Sequence, residues 1–430
     1  MSAYRPVSAG TLVACLSLFA SVAPASAASN AALQAASRAA EPAVIRTLED
    51  LVQIESGSQQ LDGLNRLADL AQQRLQSLGG QVERLKGTTA PNGPIVKASF
   101  DGSGQRRILL LAHMDTVYQP GILATQPLRR DGNRLYGPGI ADDKGGVAVI
   151  LHALALLKDA GWTDYRRITV LLNADEEIGS TGSGELIAAL AAEHDVVLSF
   201  EPSPAKAVIK AEGLLLAASG TATAQLEVKG RASHAGAAPD LGRNALIELS
   251  HQLLQTRDVA KEVPGTQLNW TTAKAGEVRN QIPEAASAIG DVRVTVADGL
   301  PRLQAALNAR IANKLVPDTQ TTATLVVGRP PYVATEGGHA LARHAQTIYK
   351  ELDGRPLALV PTTGGGTDAG FASRSGKAVV LESFGLAGFG YHARDEYIEI
   401  DSIAPRLYLA TRLMVDIGAG RVPGLTLPRQ

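Results

Sequence analysis

The sequence predicts an α/β domain, built on a mixed, mostly parallel sheet with helices on both faces, and an inserted α+β domain of the ferredoxin-like type. The chain has 430 residues, whereas one hydrophobic core usually stops growing at roughly 250 to 300 residues, so two domains are expected. Apolar strand-like runs alternate with helical periodicity in both terminal parts of the chain, which is typical of sheets covered on both faces. The middle part instead follows the order β-α-β-β-α-β.

The N-terminus has the three parts of a secretory signal peptide. Arg5 precedes an apolar stretch at 12–22, and small residues at Ala25 and Ala27 then match a signal peptidase site. We therefore expect residues 1–27 to be removed and the mature protein to be periplasmic or secreted. The alternative is an N-terminus without defined structure.

The only cysteine, Cys15, lies inside this apolar stretch. A lipoprotein cleavage site is rejected, because there the apolar stretch precedes the cysteine, whereas here it continues beyond it. Signal cleavage would leave no cysteine, which excludes a thiol nucleophile, a disulfide and a thiolate metal ligand.

Charge and hydropathy exclude two classes of partner. The 41 basic and 42 acidic residues give a net charge of −1, without the basic excess that is typical of nucleic-acid binding. After the signal peptide, no apolar run reaches the roughly 20 residues that a membrane-spanning helix needs. We therefore expect neither nucleic acid nor membrane as a partner of the mature protein.

The α/β domain is expected in two parts, at residues 28–214 and 329–430. Its helices are predicted at 42–78, 144–160, 184–193, 340–352 and 403–417. Its strands are predicted at 95–100, 108–112, 168–173, 196–200 and 378–382. Sites in such sheets gather at the carboxyl ends of the strands, so the residues that follow these runs are the functional candidates.

The inserted domain is expected at residues 215–328. Its strands are predicted at 221–229, 267–274, 285–295 and 321–327, and its helices at 244–255 and 300–315. The α/β pattern resumes after Pro330-Pro331, so the smaller domain interrupts the larger one.

Five potential metal ligands stand mostly at the carboxyl ends of strand-like runs: His113, Asp142, Glu177, Glu201 and His392. Imidazole nitrogen and carboxylate oxygen are ligands of zinc, and a catalytic zinc site leaves one position open for water. Two ions that share a bridging carboxylate need one further carboxylate and one histidine each, which this set supplies. Three carboxylates and one hydroxide would balance the charge of two Zn²⁺ ions.

Two acidic residues beside these ligands have other expected roles. Asp115 lies two residues after His113, on the same side of an extended segment, where it can orient the imidazole. Glu176 adjoins Glu177, but successive side chains of an extended segment point in opposite directions. Glu176 is therefore free to take a proton from the attacking water and to pass it to the leaving amine.

Each of these features has a simpler interpretation when it is taken alone. Asp142-Asp143 could cap a helix, Asp175-Glu176-Glu177 could be an acidic strand end, and His392 could be a loop histidine. His234, which is not needed as a ligand, could lie in a surface turn. The glycines around Gly365 would let the backbone approach a substrate, although a plain loop explains them equally well. The combination and its order, rather than any single residue, predict a metallohydrolase.

Four stretches closely resemble the di-zinc metallopeptidase and aminoacylase family, which includes glutamate carboxypeptidases and succinyl-diaminopimelate desuccinylases. They are residues 136–146, 175–177, 364–369 and 388–392. The resemblance covers almost the whole mature chain and is closest to the glutamate carboxypeptidases. It implies a catalytic domain with an inserted lid and dimerisation domain, two Zn²⁺ ions per subunit, and a homodimer.

The resemblance also implies a role for each site residue. Asp142 would bridge the ions, His113 with Glu201 would complete one ion, and Glu177 with His392 would complete the other. The Asp142–Asp143 peptide would be cis. Glu176 would be the general base, and His234 would stabilise the tetrahedral oxyanion in the partner subunit's site.

Substrate recognition is implied at two positions of the lid. Family members that select a C-terminal glutamate hold its carboxylates with an arginine and an asparagine, which correspond to Arg293 and Asn280. A planar guanidinium suits bidentate carboxylate recognition, although Arg293 alone could form an ordinary ion pair. The segment after Glu201 is longer than in the family pattern, so the lysine expected near the substrate could be Lys206 or Lys210.

Together these features predict a zinc-dependent enzyme that hydrolyses an amide bond and releases a C-terminal amino acid. The residue released would be glutamate, and the substrate an N-acyl amino acid, a folate or a dipeptide. Two alternatives stay open: an aminoacylase that acts on other N-acyl amino acids, and a catalytically silent binding homologue. The intact Glu176 argues against the second alternative. An aminopeptidase is disfavoured, because by the resemblance such members carry aspartate where this chain has Glu201.

Overall fold

The structure is a computed structural model that describes Met1 and residues 31–204, 209–296 and 298–428. The predicted signal peptide, apart from Met1, and Lys206 lie outside the described residues. The described helices are α1 (Ala31–Val52), α2 (Leu61–Ser77), α3 (Ile122–Thr125), α4 (Lys144–Asp159), α5 (Gly184–Ala192), α6 (Ala245–Thr256), α7 (Gly299–Ile311), α8 (Glu336–Lys350), α9 (Ala369–Ser373) and α10 (Ile403–Gly418).

The main sheet has the strand order β1-β2-β6-β3-β7-β19. Its strands are β1 (Gln81–Lys86), β2 (Pro94–Asp101), β3 (Arg107–His113), β6 (Arg167–Asn173), β7 (Val196–Ser199) and β19 (Val379–Leu381). The pairs β6–β3, β3–β7 and β7–β19 are parallel, whereas β1–β2 and β2–β6 are antiparallel. The prediction of a mixed, mostly parallel sheet is therefore confirmed.

Apolar side chains of the central strand β3 point alternately to the two faces of this sheet, and both faces are buried. Ile108 and Leu110 belong to the core that also contains residues of α1, α2, α4 and α10. Leu109 and Leu111 belong to a second core, which contains residues of α5 and α9. Because side chains alternate along a strand, an uninterrupted apolar run such as 108–111 fits only a strand that is covered on both sides.

A second sheet has the order β13-β15-β11-β16 and is antiparallel throughout. Its strands are β11 (Gly220–Lys229), β13 (Thr266–Ala275), β15 (Ala285–Val294) and β16 (Gln320–Val327). One face packs on α6 and α7 around a core that includes Leu226, Leu249 and Leu303. Two helices on one face of a sheet in this order give the ferredoxin-like arrangement that the sequence predicts. The limits 215–328 of the inserted domain stay a prediction.

The remaining strands form small sheets around the main sheet. They are β4 (Arg129–Asp131), β5 (Arg134–Tyr136), β8 (Ser203–Pro204), β9 (Glu212–Leu215), β10 (Ala217–Ala218), β12 (Ser233–His234), β14 (Gln281–Ile282), β17 (Tyr332–Val333), β18 (Leu357–Val360), β20 (Ala387–Phe389) and β21 (Tyr397–Glu399). The order β4-β5-β21-β20-β8 brings segments from three parts of the chain together. Strands of two to four residues are too short to show periodicity, which is why the sequence did not predict them.

Three predicted helix boundaries were wrong. α8 begins at Glu336, four residues before the predicted start at 340. α1 begins at Ala31 rather than at residue 42 and continues through Pro42, because the alanine-rich stretch before the proline has a high helix propensity. α7 ends at Ile311, four residues before the predicted end at 315. In the described part of the chain, no helix is both long enough and apolar enough to cross a membrane.

Candidate active site

The five predicted metal ligands converge at the carboxyl edge of the main sheet. His113 is the last residue of β3, Glu177 lies in a 3₁₀ turn that follows β6, and Glu201 follows β7. Asp142 lies two residues before the start of α4, and His392 lies in the loop between β20 and β21. Because β3, β6 and β7 run parallel and in register, the segments that follow them meet at one edge.

Asp142 lies between the two histidines. Its Oδ1 is 2.9 Å from His113 Nε2, and its Oδ2 is 3.4 Å from His392 Nε2. Glu177 Oε2 is 3.1 Å from His392 Nε2, and Glu201 Oε1 is 3.8 Å from His113 Nε2. Each histidine therefore has one carboxylate of its own and one oxygen of Asp142. The Asp142–Asp143 peptide is cis, as the resemblance implies.

Glu176 is more closely involved in this cluster than a purely extended segment would allow. The 176–178 segment is a 3₁₀ turn, so the side chains of Glu176 and Glu177 do not alternate as they would in the predicted extended segment. Ligand atoms of Glu176, His113 and Glu201 lie within 4.8 Å of one another. Glu176 Oε1 also lies 2.8 Å from Nη1 of Arg329, and both side chains are almost completely buried.

Asp115 connects the loop of His113 with the turn of Glu176 and Glu177. Its Oδ1 accepts a hydrogen bond from the Glu176 amide at 3.0 Å, and its Oδ2 accepts one from the Glu177 amide at 3.1 Å. The Asp115 carbonyl oxygen is 3.0 Å from His113 Nδ1, and its carboxylate oxygen Oδ1 is 3.4 Å away. The fully buried Asp115 can therefore orient both the imidazole and the two glutamates that follow β6.

Crowded carboxylates shift the pKa values of the site. Burial raises the pKa of Glu201 well above its usual range, and it raises the pKa of Glu176 to about 8 although Arg329 opposes it. Despite burial, hydrogen bonds with His113 and His392 lower the pKa of Asp142. Asp142 and Glu177 raise the pKa of His392 to about 10. Several negative charges thus share one largely buried volume, which bound cations would stabilise.

This cluster opens into a cavity of about 790 Å³ between the two domains. The cavity is lined by four of the acidic site residues and His392, and by Arg293, Gly365 and Arg329. Arg293 Nε donates to Asp291 Oδ2 at 2.9 Å, and the Arg293 side chain is partly exposed. A Cβ atom at Gly365 would meet only the Thr363 hydroxyl, at 3.8 Å, so the backbone there is open to the cavity.

Three predicted site residues belong neither to the metal-ligand cluster nor to the lining of this cavity. His234 and Asn280 lie together on the inserted domain, where Ala235 N donates to Asn280 O and β12 pairs with β14. The exposed His234 accepts hydrogen bonds from the amides of Gly236 and Ala237. Lys210 is exposed and also lies outside the cavity lining. Within one subunit the structure therefore brings the metal ligands together, but not His234, Asn280 or Lys210.

Sequence reasoning missed two buried residues that contact the site. Arg329, which stands just before the Pro330-Pro331 segment, pairs with Glu176 and donates to the Gly366 carbonyl at 2.7 Å. Glu396 accepts hydrogen bonds from the backbone around Asp142. Neither belongs to a local pattern that predicts its role, because each contact joins distant parts of the chain.

A model of peptidase family M20/M25/M40 matches residues 109–416. The chain belongs to this family. It is 46% identical over 382 residues to carboxypeptidase G2 from Pseudomonas sp. (strain RS-16), a match that covers 89% of this chain and 91% of the relative. It is 29% identical to succinyl-diaminopimelate desuccinylase from Xanthomonas euvesicatoria pv. vesicatoria (strain 85-10), over 80% of this chain and 92% of the relative.

A solved structure of the same family has the same fold. An M20 family metallo-carboxypeptidase from Sulfolobus solfataricus superposes with a TM-score of 0.68 at 17% identity, over 89% of this chain and 99% of that chain. The predicted fold class, an α/β catalytic domain with an inserted α+β domain, is therefore confirmed. So is the prediction that this M20-family protein is a metal-dependent carboxypeptidase or amidohydrolase.

Proposed function

We propose that this M20-family enzyme uses two zinc ions to hydrolyse an amide bond and release a C-terminal glutamate from N-acyl, peptidyl or folate-type conjugates. The observation that carries the proposal is Asp142, which presents one oxygen to His113 and the other to His392. A carboxylate in this position suits a bridging ligand between two ions. The identity to carboxypeptidase G2 over nearly the full chain supports the same class of reaction.

The residues of the site fit two zinc ions in number and chemistry. His113 and Glu201 would hold one ion, Glu177 and His392 the other, and Asp142 both. All these ligands are imidazole nitrogen or carboxylate oxygen, as zinc prefers. Bound zinc supplies Lewis acidity, which polarises the amide carbonyl and lowers the pKa of water.

Glu176 would move the proton in this reaction. Its carboxylate takes a proton from the attacking water and delivers it to the nitrogen of the leaving amine, so that water and amide become acid and amine. Burial raises its pKa, which favours the protonated carboxyl that must form before the amine receives its proton. Asp115 would keep Glu176 in place, because its carboxylate accepts a hydrogen bond from the Glu176 backbone amide.

Substrate selection would depend on groups that face the cavity. Arg293 would bind a carboxylate of the C-terminal glutamate, and the open backbone at Gly365 would lie against the substrate. His234 and Asn280 would act on the site of the partner subunit in a homodimer. Lys206 and Lys210 are the further candidates for a lysine near the substrate. The enzyme would work outside the cytoplasm, in the periplasm or after secretion.

An aminoacylase that acts on other N-acyl amino acids is the second candidate. The relatives include acetylornithine deacetylase from Myxococcus xanthus, which is 30% identical over 57% of this chain. The two candidates differ in the leaving amino acid, since only the first requires a second substrate carboxylate beside Arg293.

A substrate panel tests the proposal against both alternatives. Purified protein with added Zn²⁺ is assayed on N-acyl derivatives of glutamate, alanine, ornithine and leucine and on a folate, with and without a chelator. We expect chelator-sensitive release that is fastest for glutamate. Faster release of another amino acid would favour the aminoacylase. Binding without release by the wild type would favour the silent homologue, for which Glu176→Gln provides the matched inactive control.

A further inference from the structure

Glu396 is a buried carboxylate that accepts hydrogen bonds from the backbone of the loop that carries Asp142. The residue is only 2% exposed. Oε1 accepts hydrogen bonds from the amides of Ala141 at 2.8 Å and Asp142 at 3.0 Å. Oε2 accepts one from the Gly139 amide at 2.7 Å. Three amide donors of one short loop therefore point at one carboxylate, which fixes the backbone that carries the Asp142 side chain.

Glu396 also forms the end of the loop that carries His392. Residues 391–395 are exposed, whereas Glu396 is buried. The loop begins with two residues of positive φ, Gly390 at 78° and His392 at 62°, and Ala393 N donates to Gly390 O at 3.0 Å. The position of an exposed loop depends strongly on its buried ends. At this end the buried residue is Glu396.

Tyr118 strengthens the same connection from a third segment. Its hydroxyl lies 2.7 Å from Glu396 Oε2 and 2.9 Å from the carbonyl oxygen of Ala393. The Glu396 carbonyl oxygen in turn accepts from Gly137 N at 3.1 Å. Side-chain and main-chain hydrogen bonds of Glu396 thus join the loops of Asp142 and His392.

These contacts matter because Asp142 Oδ2 and His392 Nε2, only 3.4 Å apart, come from these two loops. We propose that Glu396 is a positioning residue that sets the separation of Asp142 and His392, and with it the affinity of the Asp142–Glu177–His392 half of the metal site. The inference rests on the proposed two-ion site and assigns a role to a residue that touches neither metal nor substrate. Substitution of a group that orients a metal ligand commonly lowers the metal affinity by about 10- to 100-fold.

Glu396→Gln is the informative substitution. A glutamine amide nitrogen in place of either oxygen would face at least one backbone donor, so at least one buried hydrogen bond is lost while the volume is kept. Zn²⁺ binding to the full-length mature protein is measured by calorimetric titration beside thermal unfolding. The binding step that disappears in His392→Ala identifies the half-site in question.

The matched control is Glu351→Gln. Glu351 is another largely buried carboxylate, which contacts Tyr408 and Arg412 between two helices. We expect both variants to lose thermal stability, but only Glu396→Gln to weaken the His392-dependent step, by about tenfold or more, with a smaller effect on the other step. Unchanged affinity, an equal loss at both steps, or the same loss in the control would overturn the proposal.

Tyr118→Phe decides the question should Glu396→Gln not fold. It removes the hydroxyl that contacts Glu396 Oε2 and the Ala393 carbonyl oxygen, and it keeps all three amide contacts of Glu396. A selective loss of about threefold or more at the His392-dependent step supports the positioning role, and no change contradicts it. A wild-type protein that binds fewer than two ions would instead refute the proposed function, so the two failures are distinguishable.

Discussion

The Glu176 carboxylate lies 2.8 Å from the Arg329 guanidinium, and each side chain is only 7% exposed. The pair joins the turn after β6 to the segment that leads out of the inserted domain. Arg329 opposes the effect of burial on Glu176, whose pKa is nevertheless raised to about 8. In a site already crowded with carboxylates, Arg329 therefore favours the charged, proton-accepting form of Glu176.

The first prediction follows from this pair. In Arg329→Met the pKa of Glu176 should rise. As the pH is lowered, the Glu176 carboxylate should then become protonated, and lose its ability to accept a proton, at a higher pH than in the wild type. The acid limb of the profile of kcat/KM against pH should move upward. Bound cations would lower the pKa of Glu176 in both the wild type and Arg329→Met. The quantity to measure is therefore the difference between their two profiles of kcat/KM against pH.

Arg412→Met is the control for this experiment. Arg412 is also buried, but it pairs with Glu351 and Asp416, so its loss should lower stability without moving the acid limb. An unmoved or downward-moved limb in Arg329→Met would show that Arg329 does not support the charged form of Glu176.

The second prediction concerns Arg293. Removing its guanidinium in Arg293→Ala should lower kcat/KM for C-terminal glutamate substrates, by an amount equivalent to about 2 to 3 kcal/mol of transition-state stabilisation, since a substrate carboxylate loses a charge-assisted partner. The loss should be much smaller for substrates that end in alanine. Arg257→Ala, which removes an exposed arginine paired with Asp258, serves as the control. Equal losses on both substrates would assign carboxylate recognition to another residue, with Lys206 and Lys210 the next to test.

The metal site was predictable because its residues follow strands. Hydrophobic runs predicted β3, β6 and β7, and parallel strands bring the residues that follow them to one edge. The proximity of His113, Glu177 and Glu201 could therefore be predicted from their positions after these strands. Their roles as ligands, like that of Asp142, remain predictions that metal analysis would test.

Arg329 and Glu396 were not predictable in this way. Arg329 contacts Glu176 from 153 residues away, and Glu396 contacts Asp142 from 254 residues away. Neither residue continues a periodic pattern or a recognisable motif. A single buried ion pair or hydrogen bond between distant loops depends on tertiary packing, which one sequence does not reveal.

The third prediction concerns stability and uses His152. Its Nε2 lies 2.8 Å from the Thr47 hydroxyl, and burial, with Arg74 and Arg46, lowers its pKa from 6.5 to about 4. The native protein therefore resists protonation at a pH where the unfolded chain accepts it. Stability should fall as pH decreases from about 6.5 to about 4, and this contribution should be constant above that range.

His152→Gln removes this titration and should flatten the dependence. Between about pH 7 and pH 5 the wild type should lose roughly 2 kcal/mol more than the variant, measured by urea unfolding of chelated protein. Chelation keeps metal release out of the comparison, and the site carboxylates are common to both proteins. Parallel pH curves for the two proteins would contradict the low pKa of His152.

The fourth prediction tests the homodimer and the role of His234, which lies on the inserted domain and outside the cavity of its own subunit. His234→Ala and Glu176→Gln should each be inactive. Mixing them should form heterodimers in which one site combines an intact Glu176 with the partner's intact His234. Activity should return in up to about half the sites of each heterodimer, while the opposite site carries both defects. A double variant mixed with either single variant should stay inactive, because no combination restores a complete site. If subunits exchange, as shown by differently tagged chains, and activity still does not return, then His234 acts within its own subunit or has no part in catalysis.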